Sequence, residues 1–133
     1  MKQCILILSF LLAGIMSGWC LRPELHWLEG TWEGTGENLS AHYPWTIQLI
    51  YHADDAYIRL EYPSHHCGGA LKIITLEAGK ASCVEDVNYG LDQCISGLKV
   101  SIVQEQDGSI TVTYYNLGEN SIRAVAKLVR KSL

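Results

Sequence analysis

Positive charge is scarce and scattered in this sequence. Lys plus Arg number 10 against 14 Asp plus Glu, for a formal net charge of -4. No basic stripe runs along any segment, so neither nucleic acid nor an anionic membrane surface is an expected partner. Low-complexity runs, linkers and internal repeats are missing too, and the length suits one domain rather than two. No Gly-x-Ser-x-Gly, His-Glu-x-x-His or phosphate loop occurs. Ser40 and Ser64 near His42 and His65 form no known nucleophile–base pattern, and Cys83 has no evident base. The chain is therefore read as non-catalytic and without a cofactor. Convincing helical periodicity is absent beyond the first twenty residues, and so is any apolar run near the roughly 20 residues that a membrane span needs.

What is present begins with a leader. Lys2 supplies a minimal positive start, Ile5 to Met16 is almost wholly apolar, and Ser17 and Gly18 suit a cleavage site. Residues 1–20 are read as a signal peptide and 21–133 as one domain, secreted or periplasmic, with no membrane contact beyond the leader. Cleavage after Gly18 and after Cys20 are both open, and an uncleaved anchor is the alternative. Trp19 before Cys20 is unlike a lipoprotein signal. Export implies an oxidising compartment, where cysteines are disulfide candidates. Cys4 leaves with the leader; Cys67, Cys83 and Cys94 stay, which makes one bridge the expectation.

The domain alternates with period two in eight segments: 30–36, 45–52, 56–62, 70–78, 81–87, 98–104, 110–117 and 122–130. Turn signals separate them, Asp107-Gly108 being the strongest. Residues 21–29 leave room for one helical turn before the first strand. Clean alternation implies one packed face and one solvated face. Short connections imply an antiparallel up-and-down order, and eight such strands can close into a barrel that is filled or holds one small ligand. The fold expectation is all-β, an eight-stranded antiparallel up-and-down barrel, with a β-sandwich as the alternative. In a meander the last strand returns to the first. Arg130 would then arrive beside Trp32 and close the barrel with a guanidinium–indole contact worth roughly 0.5–2 kcal/mol.

Gly30, Trp32 and Arg130, together with the strand count, resemble the calycin superfamily of lipocalins, avidins and fatty-acid-binding proteins. Barrels of that kind open with a Gly-x-Trp strand and often lay a basic residue of the last strand over the Trp. The resemblance implies a ligand-binding barrel, although the long lipocalin helix is missing here. Tyr62-Pro63-Ser64-His65-His66-Cys67-Gly68-Gly69, then Glu85, then Cys94-Ile95-Ser96-Gly97, resembles uncharacterised secreted bacterial domains with a Tyr-Pro-x-x-Cys-Gly-Gly segment. That likeness implies a barrel and a bridge, and no activity. In the meander Cys67 and Cys94 fall in loops at the same end, the mouth, and can approach to the roughly 4.4–6.8 Å between α-carbons that a disulfide needs. Cys83 falls inside a strand and is expected as a buried thiol.

The mouth loops also gather the candidate binding residues His42, Tyr43, His65, His66, Tyr89, Asp92 and Glu119. Neighbours on an extended chain point apart, so His65-His66 is poor metal-ligand spacing and no metal is expected. Parity places Trp45, Tyr51, Tyr62 and Tyr114 inside the barrel, as core filling or as pocket lining. Glu85 shares parity with Cys83 and Val87. It is therefore either a ligand-orienting carboxylate or part of a structural ion pair, unless the Val84 face is the buried one. Asn38-Leu39-Ser40 matches a glycosylation acceptor. Rigid strands that present polar loops suit recognition. The expected function is a monomeric, non-catalytic binding module, either a carrier of a small apolar ligand or an inhibitor that docks its loops on a hydrolase. The alternative is a structural, envelope-associated protein held by an uncleaved leader.

Overall fold

The computed structural model describes residues 26–41 and 43–132. The leader with its cleavage site, Cys4 and Cys20, and the mouth candidate His42 lie outside the described residues. Eight strands follow one another: β1 (Gly30–Asn38), β2 (Pro44–Tyr51), β3 (Tyr57–Tyr62), β4 (Cys67–Glu77), β5 (Lys80–Tyr89), β6 (Lys99–Gln104), β7 (Ile110–Tyr115) and β8 (Ile122–Arg130). Each pairs antiparallel with the next, and β1 also pairs with β8, so the sheet closes on itself in up-and-down order. The barrel expectation holds and the sandwich alternative does not. Among the described residues no helix is long and apolar enough to cross a membrane. The stretch before β1 is one hydrogen-bonded turn, Glu29 N–H donating to the His26 carbonyl at 3.1 Å.

Period-two alternation does the sorting. In β7, Ile110, Val112 and Tyr114 are buried while Thr111, Thr113 and Tyr115 between them are not. In β2, Trp45, Ile47, Leu49 and Tyr51 form the buried row. The inward rows fill the lower barrel with fully buried Leu49, Leu60, Leu71, Ile102, Val112 and Leu128. Exclusion of this apolar surface from water is the main force behind closure. The base is sealed by Trp27, Leu28 and Trp32. Trp32 Nε1 donates to the Leu28 carbonyl at 2.8 Å and Trp27 Nε1 to that of Glu77 at 2.8 Å. The Arg130 guanidinium lies 4.2 Å from the Trp32 ring centroid and donates to the carbonyls of Glu29 and Trp27.

Several strand ends differ from the alternation reading by one to three residues: β1 runs on to Asn38 and β5 to Tyr89, and the start of β4 moves furthest. Cys67 does not lie in a loop: it opens β4, buried and paired with Tyr62. Cys-Gly-Gly reads as a turn in sequence. Here the glycines serve close packing, since a Cβ on Gly69 would sit 2.1 Å from the Asp86 carbonyl oxygen. A single 3-10 turn, Pro63–His65, takes up the remaining connection from β3. At the other end of the chain, β7 stops at Tyr115 rather than Leu117.

Candidate functional site

The upper barrel is not filled. A cavity of about 340 Å³ opens at the mouth. Its position follows from residues deeper in the chain. Gly36 pairs with Trp45 across β1 and β2. A Cβ on Gly36 would lie 2.4 Å from the indole, so the missing side chain is what lets Trp45 turn inward. Asn38 Oδ1 accepts from Trp45 Nε1 at 2.9 Å and fixes the ring. Tyr62 and Tyr114 meet it edge-on, each with centroids 5.6 Å from it, and they stand 6.4 Å from each other. Edge-to-face geometry is the favoured aromatic arrangement.

Beside the aromatics Glu85 lines the same cavity, only 4% exposed. The Tyr62 hydroxyl is 2.5 Å from Glu85 Oε2 and 2.8 Å from the Tyr114 hydroxyl. Each phenol carries one proton. With the Tyr62 proton on the carboxylate, Tyr114 donates to Tyr62, and a relay runs from β7 through β3 to β5. Glu85 Oε1 has no hydrogen-bond partner among the described residues. Burial pushes the Glu85 carboxyl up to about 7; the Tyr62 hydrogen bond and the Arg123 charge oppose that shift. Burial likewise raises both the Tyr62 and the Tyr114 phenol. A carboxyl that titrates near neutrality inside a cavity is a recurrent mark of functional sites.

The connection from β5 to β6 walls one side. It runs back along β5, with Glu85 N–H donating to the Leu98 carbonyl at 2.8 Å and Gly97 N–H to that of Glu85 at 2.9 Å. Val87 N–H donates to Ser96 Oγ at 2.8 Å. The disulfide Cys67–Cys94, with α-carbons 6.5 Å apart, ties this wall to the start of β4. Cys83 is buried and free, its thiol pushed up to about 12 by burial.

The other wall holds a residue that alternation hides. Tyr114 pairs with Ala124, but Tyr115 pairs with Ile122, so Arg123 is the extra residue of a β-bulge. Bulges re-aim side chains, and Arg123 lines the cavity although its parity places it outside. Asn38, Leu98 and Ile95 line it as well.

The candidates named from sequence divide. Tyr43 and His65 join Trp45, Tyr62, Glu85 and Tyr114 around the cavity. Tyr51 is inward and buried but at the base, donating to the Asp55 carbonyl at 3.2 Å. His66 is exposed and ends the 3-10 turn in the left-handed region, at φ 54°. Tyr89 donates to the Glu61 carboxylate on the outer surface. Asp92 is exposed in the β5–β6 connection. Glu119 accepts from Ser121 Oγ at 2.7 Å and braces the β7–β8 turn. Trp32 and Arg130 close the base, away from the cavity. Asn38, the sequon asparagine, has its amide oxygen committed to the Trp45 indole N–H. Around the opening, Leu39, Tyr43, Leu91, Ile95 and Leu117 are exposed apolar side chains on the mouth loops. Searches with this chain match no protein-family model, no curated protein and no solved structure.

Proposed function

We propose that the protein is an exported, non-catalytic binding module of calycin-like build that holds a small ligand at the mouth of its barrel. The observation that carries this reading is the cavity of about 340 Å³, lined by Trp45, Tyr62, Tyr114 and the buried carboxyl of Glu85. That volume and that mix of rings with a few polar groups are typical of small-molecule sites. The sealed base and filled lower barrel make a rigid support, so the ligand meets a preformed pocket. Export is supported by the apolar leader together with the Cys67–Cys94 disulfide. The calycin-like reading is supported by Arg130 over Trp32.

The test is native mass spectrometry of the mature protein taken from its own exported fraction. A non-covalent adduct of a few hundred daltons, lost on denaturation, is the expected result. A bare protein mass contradicts it. A second reading, an inhibitor docking on a hydrolase, draws on the exposed Leu39, Leu91, Ile95 and Leu117 around the opening, since apolar loop residues suit the buried centre of a protein interface. A bare mass together with a stable protein complex would favour it.

A further inference from the structure

On the premise that the mouth pocket is a small-ligand site, we infer that its occupant is a small amphipathic amine, whose ammonium donates to Glu85 while its apolar body lies against Trp45, Tyr62 and Tyr114. The polar protons nearest the cavity are already committed. The Trp45 N–H is spent on Asn38, the Tyr62 proton on Glu85, and the Tyr114 proton on Tyr62. These groups therefore offer a ligand lone pairs only. The most demanding of these is Glu85 Oε1, which is buried and without a partner among the described residues. A buried acceptor left unpaired is costly, and a buried carboxylate more so.

An ammonium answers both needs, and the three rings around it add cation–π attraction. An anion placed against the same groups would face a carboxylate and two committed phenols, with Arg123 on the cavity wall as its one permanent cation. Arg123 does not already meet the demand. Its charge favours ionised Glu85, but the two make no ion pair; the salt bridges among the described residues all lie elsewhere. The titratable and charged groups that line the cavity with Glu85 are Tyr62 from β3, Tyr114 from β7, Arg123 from β8, Tyr43 before β2 and His65 from the 3-10 turn, with Cys83 next inward on β5. Glu85 is the one carboxyl among them, and an ammonium binds its deprotonated form. Affinity then rises with pH through the carboxyl's value of about 7.

The experiment is calorimetry on the mature protein with three probes that share one body: phenethylamine, 2-phenylethanol and 3-phenylpropionate. At pH 8 phenethylamine is expected to bind at least about tenfold tighter than either analogue, and to weaken by up to about tenfold at pH 6 as Glu85 takes up its proton. In Glu85→Gln, which keeps an acceptor for Tyr62, the preference and its pH dependence disappear; a cooperative thermal melt of the variant shows that it has folded. If the alcohol or the acid binds as tightly as the amine, the amine is the wrong class and the pocket reading stands. If no probe binds at millimolar concentration, both fall.

Discussion

Glu85→Gln also has a consequence for folding that can be worked through from the structure. In an unfolded chain the carboxyl ionises at its model value of 4.5, whereas in the barrel burial holds it near 7. The folded state thus keeps its proton over a range where the unfolded state has lost it. The slope of stability with pH follows the difference in bound protons, and here it is negative. The contribution is fully present below about pH 4.5 and is lost as pH rises through 7. A shift of that size corresponds to about 3 kcal/mol at 1.36 kcal/mol per unit, for a group that is 4% exposed. Glutamine mimics the protonated acid and carries no charge to desolvate. Urea denaturation of the wild type and of Glu85→Gln, run side by side from pH 4 to pH 8.5, isolates this one group from all other titrations. The difference in stability should grow in favour of Gln by about 2–3 kcal/mol across that range. Parallel curves would refute the buried-carboxyl reasoning; a difference that grows in favour of Glu would show instead that an ion pair holds Glu85.

Further expectations rest on other contacts. Replacing both Cys67 and Cys94 by Ala opens a loop of sequence separation 27 and should cost roughly 3–4 kcal/mol in denaturant titrations; a peptide map of the native protein should show these two joined and Cys83 free. Gly36→Ala drives a methyl into Trp45, and overpacking of this kind costs about 1–3 kcal/mol; the Trp45 indole resonance should move while that of Trp32 stays. Arg130→Ala removes the guanidinium from Trp32 and from two carbonyls, and should lower stability by about 1–2 kcal/mol, read as an earlier denaturation midpoint with no effect on the mouth.

The fold was largely readable because alternation is unbroken in β2, β6 and β7, and because the meander brings β8 back to β1. Parity also set Trp45, Tyr62, Glu85 and Tyr114 on the inward face. Parity gives the face of a strand and not the height along the barrel, which is why Tyr51 shares their row yet lies at the base. Arg123 was illegible for a different reason. One extra residue opposite Tyr114–Tyr115 inverts the side on which it points, and no local residue type announces that slip. The start of β4 was hidden by Gly68 and Gly69, whose turn-like composition serves tight backbone contacts instead. The hydrogen-bonded relay depends on three strands that are distant in sequence, so only the closed barrel reveals it.

On the proposed function the mouth, and not the base, is the occupied end of the barrel. The indoles are reporters at both ends: Trp45 at the pocket, Trp27 and Trp32 at the sealed base. The decisive measurement is the ¹H–¹⁵N spectrum of these indole groups in the protein as isolated from its own source, and again after unfolding without reductant, dialysis and refolding to strip any adduct. The Trp45 resonance should shift between the two spectra while Trp27 and Trp32 hold their positions. Coincident spectra, or movement confined to Trp27 and Trp32, would contradict the claim.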